Sequence, residues 1–162
     1  MVPDGVSPEE AELVELINGY RMDNGLPAVP LCPSLALVAR THCVDQVEEA
    51  PQSVGNCNLH SWSDAGDWTA CCYTPDHAQA QCMWDKPREI SVYTGNGYEI
   101  SVGGGGSITP AGALAAWQSS APHNDVILNQ DIWADHPWAC IGAGLYMGYS
   151  NVWFGEETDP AQ

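Results

Sequence analysis

Apolar positions repeat with helical spacing near the start of the chain, where Leu13, Val14, Leu16, Ile17 and Tyr20 line one face. Ser7-Pro8-Glu9-Glu10 precedes them, giving an N-cap serine, a proline at the first helical position and an acidic residue that closes a capping box. Gly25 supplies the stop, and a Pro-broken connection, Leu26-Pro27-Ala28-Val29-Pro30, follows. A second helix opens at Pro33-Ser34, carries Leu35, Val38, Ala39 and Val47, and ends by Pro51. From about 52 to 97 the pattern fails: turn-forming residues and cysteines dominate, which predicts a long stapled loop region with room for one short helix. Tyr98 to Val102 is short and β-prone and runs into the flexible connector Gly103-Gly104-Gly105-Gly106. Thr109-Pro110 caps a third helix through about Ser119, with Leu114 and Trp117 inward, and Ser120 to Leu128 starts another with Pro122 in its first turn. Ile141–Met147 and Asn151–Phe154 read as two strands joined by a Gly148-centred turn. The order predicts a single α/β domain over 1–162, core about 7–156, with a small antiparallel sheet covered by helices.

Composition narrows the class. Hydrophobic residues make up 44% of the 162, with seven Trp and six Tyr, enough for one substantial core and against a disordered chain. No run approaches the ~18–20 apolar residues of a membrane span. Met1-Val2-Pro3-Asp4-Gly5 has neither a charged n-region nor an apolar h-region, so the start reads as a mature form following a removed leader, not as a signal peptide. Four Lys and Arg face twenty-one Asp and Glu, a net charge of −17 that argues against nucleic acid or anionic lipid as partner. Such acidity suits solubility in a saline or extracellular medium, a cation-binding surface or a basic partner. With so few cations, stability must come from the core and from crosslinks.

The cysteines are Cys32, Cys43, Cys57, Cys71, Cys72, Cys82 and Cys140. Four fall between 57 and 82, where little apolar surface is available and crosslinks would hold the chain. Seven is odd, so at least one thiol is free or intermolecular. Adjacent Cys71 and Cys72 pair with two different partners, because a bond between them would be strained. The pattern places the chain in an oxidising compartment, secreted or extracellular.

Several landmarks then resemble one family in order. They are Asn18-Gly19-Tyr20-Arg21 before Asn24-Gly25-Leu26-Pro27; the helix Leu35 to Gln46 with Ala39, His42 and Asp45; Leu59-His60-Ser61; Gly97-Tyr98-Glu99-Ile100; Ala116-Trp117-Gln118-Ser119-Ser120-Ala121-Pro122-His123; Ile141-Gly142-Ala143-Gly144; and Trp153-Phe154-Gly155. Together they resemble the CAP superfamily of cysteine-rich secretory, antigen 5 and pathogenesis-related 1 proteins, in its bacterial form, over about residues 10–156. The resemblance implies an α-β-α sandwich acting outside the cell, in a family with lipid or sterol binding, defence and signalling roles.

It also implies two histidines and two glutamates on the floor of a central cleft. Carried over by motif, the histidines are His60 and His123 and the first glutamate is Glu99; no Glu lies between Glu99 and Glu156 to supply the second. A one-residue change of register would aim Tyr98 at the cleft in place of Glu99, and Glu99 is favoured. If the three converge, His60 and His123 could hold Zn²⁺ or another divalent cation, and Glu99 could orient a water or act as base. His123, three residues after a possible N-cap at Ser120, would be kept neutral by the helix dipole. The expected function is a secreted module whose cleft binds a divalent metal ion or small ligand without demonstrable catalysis. The alternatives are a metal-dependent extracellular hydrolase using His60, His123 and Glu99, and a purely structural interaction module, with any protein partner open.

Other features carry less. Cys57, His60, His77 and Cys82 offer a structural-zinc spacing, which the oxidising context disfavours. His42 reads as a packing histidine, and His136 as a surface-loop residue with a rim role as the alternative. Trp62, Trp68, Trp84, Trp133 and Trp138 fall in predicted loops, as core shields or as a rim for a hydrophobic or carbohydrate ligand. No G-x-S-x-G elbow and no phosphate loop are present.

Overall fold

A computed structural model describes residues 2–162, so that Met1 of the opening stretch lies outside the described residues. Its elements are α1 (Pro8–Asp23), α2 (Pro33–Glu48), α3 (Ala80–Ile90), β1 (Tyr98–Gly103), α4 (Pro110–Gln118), α5 (Ala121–Ile127), β2 (Cys140–Tyr146) and β3 (Tyr149–Gly155), with 3₁₀ turns at Pro51–Ser53 and Asp131–Trp133. The capping box of α1 is complete: Ser7 Oγ accepts from Glu10 N–H, and the Glu10 carboxylate accepts from Ser7 N–H at 2.8 Å. Its other end closes with Gly25 N–H on the Met22 carbonyl and Leu26 N–H on the Arg21 carbonyl, the paired bonds of a Schellman stop. α2 has no side-chain cap of its own. Asp159, far along the chain, supplies it by accepting the Ser34 N–H at 2.9 Å and its hydroxyl at 2.7 Å.

The strands form one antiparallel sheet in the order β1-β3-β2, with Glu99 opposite Trp153 and Ile141 opposite Phe154. The β2–β3 hairpin turns through Met147 and Gly148, both at positive φ (41° and 86°), as a two-residue turn matched to strand twist requires. One sheet face offers Tyr98, Ile100, Ile141, Ala143, Val152 and Phe154 to α1, α4 and α5. The other meets α2 and α3 through Cys140, Trp153 and a core of Cys32, Leu35, Val38, Ala39, Trp62 and Tyr93. Helix layers on both faces make the expected α-β-α sandwich, with its small antiparallel sheet and stapled loops. Gly142 and Gly144 let α2 approach: a β-carbon at Gly142 would lie 2.1 Å from the Ala36 nitrogen, and one at Gly144 2.6 Å from the Ala39 carbonyl carbon.

Three disulfides join Cys32–Cys140, Cys57–Cys72 and Cys71–Cys82, and Cys43 is a buried free thiol. Burial, and then the charge of Glu99, push the Cys43 thiol up, so it stays protonated and inert. The irregular region contains the one short helix expected there, α3, and one expectation is corrected: Trp84 lies on that helix and not in a loop. The structural-zinc set Cys57, His60, His77 and Cys82 is excluded, because both of its sulfurs are spent in disulfides.

All four cationic side chains are committed. Arg21 is buried and donates to the carbonyls of Pro27 and Ile127; Arg40 pairs with Glu10, Lys86 with Glu89 and Arg88 with Asp85. The remaining carboxylates leave the surface acidic. Among the described residues no helix is long and apolar enough to cross a membrane.

Candidate functional site

β1 is an edge strand, and a cleft of about 510 Å³ opens along it. One wall comes from the stapled loop (His60, Tyr73, His77) and α3 (Ala80, Met83, Trp84). The other comes from α5 (Pro122, His123, Asp125, Val126) and the turn Asp131-Ile132-Trp133, with Tyr98, Glu99 and Ile100 at the base.

His60 is held by the staples around it. Adjacent Cys71 and Cys72 fasten one segment to both α3 and Cys57, while Trp62 and Cys71 exchange backbone hydrogen bonds of 2.9 and 3.1 Å. Asn58 accepts the His60 N–H at 3.0 Å, and Tyr73 packs edge-on to the ring, 5.1 Å between centroids. Fixed this way, His60 Nδ1 lies 2.7 Å from Glu99 Oε1.

Glu99 is fully enclosed, on the face of β1 that meets α2. Its second oxygen bonds His42 Nδ1, and its N–H reaches the Met83 sulfur at 3.3 Å. Burial raises its pKa, but the charges and hydrogen bonds of His42 and His60 outweigh that and hold the carboxyl below the ordinary glutamate range. An ionised carboxylate only accepts, so both imidazoles donate Nδ1–H to it. His42 Nε2 faces the Ser61 carbonyl at 2.8 Å, so both nitrogens of the His42 ring are engaged. The ring also stacks on Trp62, 3.9 Å between centroids. One turn further along α2, Gln46 donates to the Leu59 carbonyl and to Ser101, and accepts from Asn151, which satisfies the rest of this polar face.

The register question has a geometric answer. Glu99 points to the histidines, and Tyr98 points to the opposite face, packed against Trp133 and Trp138 (5.4 Å each), though its edge still borders the cleft. His123 enters from α5, with Nδ1 2.8 Å from Ser120 Oγ. Its pKa is lowered, first by burial and then by the nearby charge of His60; Ser120 is the N-cap residue, but its hydroxyl serves the ring and makes no cap hydrogen bond. His60 and His123 both line the cleft, and each has Nδ1 engaged, which leaves Nε2 as its uncommitted atom.

The structure brings Glu99 to His60 but not into one tight cluster with His123. Among the described residues, only Cys32, Cys140 and Asp159 form a group of three or more potential ligand atoms all within 4.8 Å, and two of those are the sulfurs of a disulfide. Among the described residues no second glutamate lines the cleft; its other carboxylates are Asp125 and Asp131. His42, expected only to pack, does pack and also supports Glu99. The signal for it was a pair of polar residues, His42 and Gln46, one turn apart on an otherwise apolar helix face. His136 stacks among Trp133, Trp138 and Tyr98, next to the aromatic end of the cleft.

No protein-family model matches the chain, and no curated protein does. Solved structures do match. A cysteine-rich secretory protein from Staphylococcus aureus superposes with a TM-score of 0.54 at 15% identity, covering 96% of this chain and 41% of that one. An extracellular protein containing a SCP domain from Bacillus anthracis gives 0.60 at 16%, covering 97% and 45%. The fold is of the CAP type. An outer surface protein from Borrelia burgdorferi gives 0.58 at 17%, covering 91% and 92%. The chain therefore spans less than half the length of the first two structures and nearly all of the third. On this CAP scaffold the cleft lies at the free edge of the sheet, between the stapled loop and α5.

Proposed function

We propose that the protein acts outside the cell and that its cleft binds a divalent cation or a small ligand through the Nε2 atoms of His60 and His123. The observation that carries this is the hydrogen bonding of the two rings: each Nδ1 is committed, to Glu99 and to Ser120, and the atom left over is a ligand atom on a cleft-lining side chain. A carboxylate behind a ligating histidine fixes the tautomer and raises the basicity of the ring, and Glu99 stands in that relation to His60. The lowered pKa of His123 keeps its ring neutral and able to ligate. Two imidazoles with solvent suit Zn²⁺, which would act there as a Lewis acid. The extracellular assignment rests on three disulfides and on the secretory, extracellular and outer-surface descriptions of the structural neighbours.

Binding is favoured over hydrolysis by the state of Glu99. Both its oxygens accept from imidazoles, so neither is left to take a proton from water. Asp125 and Asp131 are the carboxylates that a hydrolytic reading would have to enlist.

Calorimetric titration of Zn²⁺ tests the proposal. Wild type binds one ion, and His60→Ala/His123→Ala loses at least about a hundredfold in affinity, as removal of ligands does at such sites. Equal binding by both proteins, or none by wild type, sinks the cation reading, and the latter result leaves a small-ligand cleft or the purely structural module.

A further inference from the structure

Lys86 is the only lysine of the chain, and it is fully buried. Its Nζ lies 2.9 Å from Glu89 Oε2, 3.3 Å from the Cys82 carbonyl and 3.3 Å from Cys82 Sγ, 5.7 Å from the centre of the Trp62 ring. Lysine is almost never wholly buried unless paired, and Glu89 with a helical carbonyl meets that need. The third contact is different in kind: it places a cation against one sulfur of the Cys71–Cys82 disulfide. Cys82 also lies in the first turn of α3, where the helix dipole favours negative charge.

We propose that Cys71–Cys82 is a thiol–disulfide exchange site for a dithiol reductant, with Lys86 stabilising Cys82 as the leaving thiolate. A thiolate of the dithiol attacks Cys71 Sγ and forms a mixed disulfide. The Cys71–Cys82 bond breaks, and its electron pair goes to Cys82 Sγ, where the ammonium receives the charge. The second thiol of the reductant, deprotonated, then displaces Cys71, which takes up a proton. The reductant leaves as a disulfide, and the protein gains two electrons. A lower leaving-group pKa speeds such exchange, and a neighbouring lysine lowers a thiol pKa.

The molecule supplies its own controls. Cys32–Cys140 is wholly buried, whereas Cys57–Cys72 is at least as open to solvent as Cys71–Cys82. The other three cations are engaged elsewhere, Arg21 on carbonyls, Arg40 on Glu10 and Arg88 on Asp85. Exposure alone therefore predicts that Cys57–Cys72 opens first or together with its neighbour, and the lysine contact predicts that Cys71–Cys82 opens first. Reduction also frees the start of the helix whose Met83 sulfur accepts the Glu99 N–H, which links the exchange to the floor of the cleft.

The native protein is treated with dithiothreitol at fixed pH, quenched with iodoacetamide at intervals and mapped by peptide mass spectrometry. Cys71 and Cys82 are alkylated first. Lys86→Met slows their release about tenfold while Cys57–Cys72 keeps its rate, and Lys86→Arg restores most of the loss. Glu89→Gln removes the carboxylate that competes for the ammonium and makes the exchange faster than in wild type, a test that holds even if Lys86→Met does not fold. Earlier opening of Cys57–Cys72, an equal slowing of both bridges in Lys86→Met, or no acceleration in Glu89→Gln overturns the proposal.

Discussion

Glu99→Ala lowers the unfolding free energy by about 3–5 kcal/mol, because it strands buried partners that have no other acceptor. His42 is wholly buried and keeps only the Ser61 carbonyl as a hydrogen-bond partner once the carboxylate is gone. In a chain of this length the loss corresponds to a fall in Tm of roughly 10 °C. Glu99→Gln keeps the shape and one accepting oxygen, so it loses less. The pH dependence follows from the depressed pKa of Glu99. The group contributes its full stabilisation above the ordinary glutamate value of about 4.3, and that stabilisation is lost as pH falls below it through the folded-state pKa. Urea unfolding of wild type and Glu99→Gln at pH 7 and pH 3 reads both effects: the difference between the two proteins narrows in acid. A loss under about 1 kcal/mol for Glu99→Ala at pH 7 would mean that the imidazoles find other partners.

The second large effect is expected at Cys32–Cys140. The bridge closes a separation of 108 residues, and a loop of that order restricts the unfolded chain by about 4–5 kcal/mol. The folded state needs the covalent bond less, because Cys32 N–H donates to the Ile141 carbonyl at 2.8 Å and Ile141 N–H to the Pro30 carbonyl at 3.0 Å. Cys32→Ala/Cys140→Ala therefore folds to the same structure and loses about 4 kcal/mol in denaturant unfolding, a large part of the usual 5–15 kcal/mol total. A loss below about 1 kcal/mol would place the stabilisation in local contacts instead.

The elements that were legible in the sequence are those whose determinants are local. The α1 capping box, the Gly25 stop, the Gly148-centred turn and the strand pattern around it each lie within a few residues, and the helix order followed from them. α3 was not legible as a full helix although Met83, Trp84, Pro87 and Ile90 recur at helical spacing, because a lysine, Lys86, sits on the buried face and a proline, Pro87, stands inside the helix. What orders it is the bridge to Cys71, which the tertiary fold sets, together with the Lys86–Glu89 pair one turn apart within the helix. Resemblance singled out His60, Glu99 and His123 as candidates, but could not show that both oxygens of Glu99 are engaged by imidazoles. That depends on the rotation of α2, which aims His42 at β1, and on the strand register, which puts Glu99 opposite Trp153. The pairing of Cys71 and Cys72 to different partners was legible from adjacency alone, while the identity of those partners was not.

The central claim is that His60 and His123 present Nε2 to the cleft while Glu99 stays behind His60 as an acceptor. Nitrogen-15 NMR of the imidazoles, with and without Zn²⁺, tests it most directly. The expected spectrum has a proton on His60 Nδ1 that Zn²⁺ leaves in place, while the ion shifts the Nε2 resonances of His60 and His123. Metal-induced shifts at Nδ1 with loss of the bond to Glu99, or no metal-induced shift at either Nε2, would contradict it.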